Sequence, residues 1–212
     1  MELSINKYCR IDPTGVTVNR TILLSNAEQL NYRKFIRSIY KSIKLDYPKF
    51  FKMDGLSKLG FMAVEVLLLE EEISRKYPSE HTGFILMNGS SSLEIDEKHQ
   101  ESINNREQYF PSPSNFVYTL PNIMAGEAAI RHKFKGENTV FISKNFDTRV
   151  FYDLVRTSFE QKALECCIGG WVEQYGETFE ALLFLITSGE NNISGESVIF
   201  EPSNLNNIYK AT

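Results

Sequence analysis

Thiols are the most reactive nucleophiles that a protein offers for covalent catalysis, and this 212-residue sequence has only three of them. The three cysteines are Cys9 and the adjacent pair Cys166 and Cys167. A thiol becomes a good nucleophile when a helix N-terminus or a nearby cation lowers its pKa. Cys166 and Cys167 instead lie in an apolar run before two glycines, where a buried thiol acts as a small hydrophobic side chain. The pattern favours a structural role for both, with catalysis by either one as the alternative.

The other groups that could do chemistry show no catalytic spacing. His81, His99 and His132 form none of the patterns typical of metal sites, so we expect no metal and no cofactor. The three serines at 90–92 follow Gly89 and could present hydroxyl and N–H groups to an anion. A turn that leads into a helix is the more common explanation of such a run.

The composition limits the class of protein. With 42% hydrophobic and 24% charged residues, the chain can bury a substantial core in one domain. A net charge of −4 gives no electrostatic basis for coating nucleic acid. We find no signal-peptide pattern, and no apolar run approaches the roughly 18 residues of a membrane helix. The cysteine pattern fits reduced thiols, so we expect a soluble cytoplasmic protein.

Apolar runs of strand length alternate with helical periodicity, which predicts a layered α/β domain. We predict strands at 3–8, 16–24, 82–87, 139–143, 164–168, 181–186 and 197–200. Helical patterns cover 56–73, 123–135 and 147–163, and a basic amphipathic stretch covers 27–52. The polar interval 94–108 is an exposed helix or loop, and 188–195 resembles a hairpin loop.

Two of these elements have distinctive ends. The helix predicted at 56–73 begins after Asp54, a suitable N-cap, and is apolar on nearly every side until Glu70. That pattern is typical of a helix packed in the protein interior. The strand predicted at 164–168 is expected to end at Gly169 and Gly170.

Charge is distributed unevenly along the chain. Residues 33–58 hold eight basic and two acidic side chains, whereas 165–190 holds five glutamates and no lysine or arginine. Such asymmetry favours a basic face that meets an acidic partner, with an ordinary solvated helix face as the simpler alternative.

The order of features between residues 49 and 173 resembles the N-terminal half of β-ketoacyl synthases. The resemblance rests on FFKMD at 50–54 before a helix, NIMAGEAAI at 122–130, FKG at 134–136, a strand, a turn that opens a helix, and a strand with two glycines. It implies a thiolase-like half-fold, a mixed β-sheet with packed helices, and a single ketosynthase N-terminal-like domain over 1–212.

The resemblance also implies where the nucleophile would lie. In the family it is a cysteine at the start of the helix that follows the strand matched here by 139–143. Here that turn reads Ser143, Lys144, Asn145, Phe146 and Asp147. Counting forward from the glycine at 136 places Asn145 at the cysteine position, whereas counting back from the glycine pair at 169–170 places Lys144 there. Neither side chain can accept an acyl group as a thioester.

The same turn has a simpler explanation, because Asn145 suits a turn and Asp147 is a good N-cap.

Family synthases also use two histidines from a C-terminal half, and the histidines of this chain match neither. The chain is about half the length of such a synthase. The resemblance therefore implies the scaffold without the condensation reaction.

The expected function is that of a ketosynthase-like pseudoenzyme in fatty-acid-like, polyketide or polyene biosynthesis. It would be the partner of an active synthase in a homodimer or heterodimer formed through strand 164–169, or a docking module for an acyl carrier protein. Carrier-docking candidates on the basic face are Lys41, Lys44, Lys49 and Lys52. The alternative is an acyltransferase or 3-oxoacyl-carrier-protein synthase that uses Cys166 or Cys167, or that completes its active site with another chain.

Overall fold

The computed structural model describes residues 2–104, 107, 110–188 and 197–211. Its strands are β1 (Leu3–Asp12), β2 (Gly15–Val18), β3 (Thr21–Ser25), β4 (Thr82–Asn88), β5 (Asn138–Ile142), β6 (Cys166–Tyr175), β7 (Thr178–Ser188) and β8 (Val198–Ile199). Its α-helices are α1 (Tyr32–Ser42), α2 (Gly55–Leu67), α3 (Ile73–Lys76), α4 (Leu93–Glu101), α5 (Pro113–Tyr118), α6 (Ile123–His132), α7 (Thr148–Glu160) and α8 (Pro202–Lys210). Short 3-10 helices occupy Pro48–Lys52 and Ser79–His81. The loop predicted at 188–195 lies outside the described residues except for Ser188, which ends β7.

The described strands form one mixed sheet in the order β3-β2-β1-β7-β6-β4-β5, and β8 pairs with β1. Strand β4 runs parallel to both of its neighbours, β5 and β6. Strand β7 is antiparallel to β6 and to β1. Parallel neighbours need crossover connections, which here contain α7 and the helices α4 to α6. The predicted mixed α/β class is confirmed.

Helix α2 covers one face of the sheet, and helices α7 and α8 cover the other, so two hydrophobic clusters form. All but three residues of α2 are buried, which confirms the predicted interior helix. Its N-cap is Asp54, whose carboxylate accepts hydrogen bonds from the N–H groups of Leu56 and Ser57, each at 3.1 Å. On the opposite face, Phe151 and Val155 of α7 are fully buried.

Helix α2 ends at Leu67, earlier than the predicted residue 73, because its last turn is capped from another element. Glu70 has a φ of 67°, which stops helical propagation. The ammonium of Lys7 on β1 donates to the carbonyl of Leu69 at 2.7 Å and pairs with Glu71 at 3.3 Å. This long-range cap is not visible in the helical periodicity.

The predicted strand 16–24 was wrong because the chain reverses within it. Asn19 and Arg20 both have positive φ, 46° and 67°, and form the tight turn between β2 and β3. The basic stretch 27–52 is also divided, since α1 ends at Ser42 and Lys44 adopts a φ of 53°. A 3-10 helix follows from Pro48.

Strand β6 is longer than the predicted 164–168 and continues through both glycines to Tyr175. The glycines allow close packing: a Cβ on Gly169 would lie 2.5 Å from the carbonyl oxygen of Ile85, and Gly170 has a φ of +146°. Both edges of β6 are paired, with β7 on one side and β4 on the other. The predicted use of 164–169 as a dimer strand was therefore wrong, because a strand with no open edge cannot add another strand. In the described sheet, β5 is the open edge next to the crossover helices.

Among the described residues, none of the helices has the length and apolar composition needed to cross a lipid bilayer.

The glycine packing predicts unequal effects of alanine. At Gly170 a Cβ would lie 2.1 Å from the carbonyl oxygen of Leu182, so we expect Gly170→Ala to lower the free energy of unfolding by about 3 kcal/mol or more. The control is Gly126→Ala in α6, where the nearest atom is 3.9 Å away and alanine should stabilise by about 0.5–1 kcal/mol. Urea unfolding measures both, and equal stabilities for the two variants would contradict the close approach at β6.

Candidate functional site

The strand-to-helix turn between β5 and α7 lies at the carboxyl end of the parallel strands. The N–H of Ser143 donates to the carbonyl of Asn88 at 2.8 Å, which continues the β4–β5 pairing by one residue. The hydroxyl of Ser143 donates to the carbonyl of Asn145 at 2.9 Å and closes the turn. Lys144 and Asn145 are both exposed there. Neither offers a thiol, a hydroxyl or an imidazole at this position.

Phe146 holds the turn against the core. It is the one buried member of the predicted set 144–147 and lies 5% exposed. Its ring lies 5.3 Å from that of Phe151 on α7 and 5.3 Å from that of Tyr209 on α8, between ring centroids. The turn is therefore anchored by an aromatic side chain, while the residues on either side of it face solvent.

Asp147 occupies the N-terminus of α7. Its carboxylate accepts hydrogen bonds from the N–H groups of Arg149 and Val150, both at 3.0 Å. These orphan N–H groups and the helix dipole are the features that would stabilise a thiolate or an oxyanion at a helix start. Here they are satisfied by a carboxylate of the chain itself, as predicted for a strand-to-helix junction.

The cysteines lie far from this turn. Cys166 pairs with Thr82 at the start of β4, whereas Ile142 pairs with Asn88 at the end of β4. Six residues of extended strand separate these two positions, a distance of about 20 Å. Cys166 and Cys167 are thus at the end of the sheet opposite the turn.

All three thiols are buried in the sheet. Cys166 faces the cluster under α2, and Cys167 faces the cluster under α7. Burial raises the pKa of Cys9 to about 12 and raises the pKa of Cys166 and of Cys167 well above the ordinary value. The hydrogen bond from the Cys9 thiol to the carbonyl of Ala63, at 3.3 Å, also favours the protonated form. These are the properties of structural cysteines.

The loop after β4 binds a carboxylate of the same chain. Glu173 on β6 accepts hydrogen bonds from the N–H of Gly89 at 2.7 Å and from the N–H of Ser90 at 3.1 Å. Ser92 is directed to the carbonyl of Thr119, at 2.9 Å, and immediately precedes α4. The turn that leads into a helix is confirmed, and its backbone donors are already used internally. No local pattern in the sequence indicates this role of Glu173.

The histidines remain separate from one another. His132 contacts Glu65 at 2.8 Å, and the ring of His99 packs 5.6 Å from that of Phe116. Over residues 2–104, 107, 110–188 and 197–211, no group of three or more histidine, cysteine or acidic side chains could hold a metal ion.

The four carrier-docking candidates occupy three different environments. Lys41 and Lys44 are exposed at the end of α1 and just beyond it. Lys49 forms an ion pair at 2.7 Å with Glu127, whose side chain is only 3% exposed. Lys52 is exposed and lines a cleft between α1 and α2.

Most of the described glutamates in the acidic stretch 165–190 bind groups of the same chain. Glu173 binds the loop at Gly89, and Glu177 accepts a hydrogen bond from the N–H of Tyr32 at 2.8 Å. Glu180 pairs with Arg10 at 2.5 Å, and its pKa is raised by burial. Glu190 lies outside the described residues. The charge pattern of this stretch therefore reflects interactions within the fold.

No protein-family model matches the sequence, and no curated protein matches it at a significant level. Solved structures with the same fold do exist. "The ishigamide ketosynthase/chain length factor" superposes with a TM-score of 0.67 at 18% identity, over 90% of this chain and 63% of that chain. A ketosynthase (ApeO) in complex with its chain length factor (ApeC) from Xenorhabdus doucetiae gives a TM-score of 0.56 at 14% identity, over 89% and 80% of the two chains.

A third structure is a type II PKS acyl-carrier protein in complex with its ketosynthase bound to the hexaketide (AntDE:AntF). It gives a TM-score of 0.57 at 12% identity, over 88% of this chain and 62% of that chain. Identities this low show the fold alone. The chain thus has the thiolase-like fold of ketosynthase and chain length factor chains, which confirms the predicted resemblance. It spans less than two thirds of the length of the ishigamide chain and of the hexaketide-bound ketosynthase chain, 63% and 62% respectively.

The burial of the thiols predicts their reactivity. We expect Cys9, Cys166 and Cys167 of the native protein to resist iodoacetamide at neutral pH and to react once urea unfolds the chain, because only the thiolate attacks. Mass spectrometry of tryptic peptides would measure the labelling. The control is Asn145→Cys, which places a thiol at an exposed position and should react without denaturant. Rapid labelling of Cys166 or Cys167 in the native protein would favour the enzyme alternative.

The pair between Lys49 and Glu127 predicts a stability effect in place of a docking effect. We expect Lys49→Met to lower the free energy of unfolding by about 2 kcal/mol, since the buried Glu127 carboxylate loses its cation and keeps only the hydrogen bond from the Tyr118 hydroxyl. The figure lies below that for a fully buried pair because Lys49 is partly exposed. In the double variant with Glu127→Gln part of the loss should be recovered, and Lys52→Met should change stability by less than about 0.5 kcal/mol. Equal effects of the two lysine variants in urea unfolding would contradict the structural role.

Proposed function

We propose that this chain is a non-catalytic, ketosynthase-like partner subunit that serves polyketide, polyene or fatty-acid-like biosynthesis. The observation that carries the proposal is the turn between β5 and α7. In a fold shared with ketosynthases, this strand-turn-helix presents exposed Lys144 and Asn145, and the helix start is filled by the Asp147 carboxylate. We also propose that residues 1–212 form a single ketosynthase N-terminal-like domain.

The chemistry of this turn argues against acyl transfer. Condensation by a ketosynthase-type mechanism needs a thiolate that accepts the acyl group, stabilised by unsatisfied N–H groups. Lys144 and Asn145 supply no thiolate, and the negative charge of Asp147 disfavours a second anion at the same helix start. A subunit with such a turn can still position or shape a partner.

The open edge of β5 is the surface that fits such a partner. The N–H of Phe84 binds the carbonyl of Glu137, and the N–H of Ser143 binds the carbonyl of Asn88, so odd-numbered residues of this segment face β4. The backbone groups of the even-numbered residues, including Val140 and Ile142, therefore point to the open edge.

Exposed apolar side chains occur on β5 and on the helix that contacts it. They are Ile142 on β5 and Ile130 on α6, 54% and 64% exposed. Phe116, Val117 and Leu120, at and after α5, are exposed as well. Large apolar side chains grouped around an unpaired strand are typical of an interface that forms by strand addition. The named neighbours include ketosynthases with chain length factors, so a ketosynthase-like chain or a second copy of this chain is the proposed occupant.

An acyl carrier protein is a further proposed partner, since one neighbour is a ketosynthase with its acyl-carrier protein. Carrier proteins are acidic, and Lys41, Lys44 and Lys52 are exposed basic side chains on this chain. Lys49 is the fourth predicted docking residue, and its ammonium also forms an ion pair with Glu127.

The enzyme alternative, in which the chain uses Cys166 or Cys167, requires these thiols to become accessible. Both are fully buried, at the end of the sheet opposite the turn. Completion of an active site by another chain would instead use the surface beside the turn, where β5 is open.

The partner proposal predicts an interface that depends on β5. We expect Ile142→Glu, and more strongly Val140→Pro, to weaken association at least tenfold, because they place a charge on the open edge or remove an N–H from it. Sedimentation velocity would measure this chain alone and mixed with a ketosynthase encoded by a neighbouring gene.

The matched control is Ile22→Glu, which introduces the same charge at an exposed position, 69% exposed, on the opposite edge strand β3. Association of this variant should equal that of the unaltered protein. Loss of association in Ile22→Glu alone, or an unaltered chain that binds neither itself nor the ketosynthase, would overturn the proposal.

A further inference from the structure

A cleft of about 550 Å³ opens between α1, the first turn of α2, α4 and the tip of the β6–β7 hairpin. Five basic side chains line it, and we call it the basic cleft: Arg33, Arg37, Lys52, Lys58 and Lys98. It shares no residue with the turn at 143–147. Its volume lies within the range of small-molecule sites, which is about 300–1,000 Å³.

The cations of the basic cleft are poorly neutralised by the protein. Lys98 pairs with Glu94, and Lys58 donates to the carbonyl of Met53. Within the part of the chain that the structure describes, Arg33, Arg37 and Lys52 form no ion pair. Arg33 and Arg37 are four residues apart on α1, so their side chains project from the same face of the helix.

The carboxylates of the cleft are bound to other groups. Asp54 caps α2, and Glu177 accepts the N–H of Tyr32 at the start of α1. Glu94 accepts the N–H of Gly176 at 2.9 Å and the side-chain amide of Gln174 at 2.8 Å. These carboxylates satisfy backbone and amide donors and form no ion pair with Arg33 or Arg37, so both guanidinium groups keep their N–H donors for an anion. The five cations of the cleft outnumber its three carboxylates, Asp54, Glu94 and Glu177.

Lys58 shows the effect of this crowding. Burial lowers the pKa of its ammonium, Asp54 opposes that shift, and Arg33, Arg37 and Lys98 lower the pKa further. Like charges held together in a partly desolvated concave surface repel one another, and a bound anion removes that repulsion.

We propose that the basic cleft binds a phosphate-bearing small molecule of charge −2 or greater. Guanidinium groups bind phosphate oxygens through paired, charge-assisted hydrogen bonds, which suits Arg33 and Arg37. The volume exceeds that of a single phosphate, and buried Ile36 and Ile95 with Tyr118 supply an apolar wall for the remainder of the ligand. This site does not depend on the proposed partner function.

Inorganic pyrophosphate is the probe for the anionic part of the ligand. Isothermal titration calorimetry at constant ionic strength should give saturable binding to the unaltered protein. In the double variant Arg33→Gln and Arg37→Gln we expect the affinity to fall at least about 30-fold, because two charged hydrogen-bonding groups are lost.

The matched control removes the same net charge from the same helix outside the cleft, with Lys34→Gln and Lys41→Gln. Its affinity should stay within about twofold of the unaltered protein. Equal losses of pyrophosphate affinity in the two double variants would indicate only diffuse charge attraction and would contradict the proposed site. A heat of pyrophosphate binding no larger than that of sulfate at the same ionic strength would contradict it as well. Far-ultraviolet circular dichroism and thermal melts verify that each variant is folded. Sedimentation of the β5 variants tests the partner proposal separately, so the two can fail independently.

Discussion

Burial of β6 and β7 on both faces is the constraint on which the rest of this structure depends. Helix α2 covers one face of these strands and α7 the other. Gly169 leaves room for the ring of Phe151 on α7, and Gly170 leaves room for the backbone of β7 at Leu182. Because the centre of the sheet is fully packed, its thiols are buried. Chemistry and recognition are left to the ends of the strands, the open edge of β5 and the clefts between helices.

The periodic elements of the fold were predictable from the sequence because their signals are local. Asp54 and Asp147 marked two helix starts correctly, and the apolar character of α2 predicted its interior position. The order of features around NIMAGEAAI and the glycine pair was enough to identify the thiolase-like fold, although overall identity to the solved structures is 18% or less. Strand order and depth in the sheet were not available from these local signals. The prediction that strand 164–169 mediates dimerisation was therefore wrong, because that strand is paired on both edges.

What the sequence could not reveal is mostly long-range pairing. Three such interactions join residues 62 to 84 positions apart along the chain. Lys7 donates to the carbonyl of Leu69 after α2, Glu173 binds the Gly89 loop, and Lys49 pairs with Glu127. From composition alone, such charged residues are expected to be solvated at the surface. In the structure they bind buried or partly buried groups of the same chain. The basic stretch was likewise treated as one face. In the structure it separates into exposed lysines, a structural ion pair and the basic cleft, because α1 ends before Pro48.

The open edge of β5 has a consequence for how the cell must handle this chain. In the described sheet its outward backbone groups lie unpaired beside exposed apolar side chains such as Ile142 and Ile130. Such an edge is a template for indiscriminate strand pairing whenever the surface is left bare. If a partner chain covers β5, as proposed, synthesis of this chain in excess of that partner would favour aggregation.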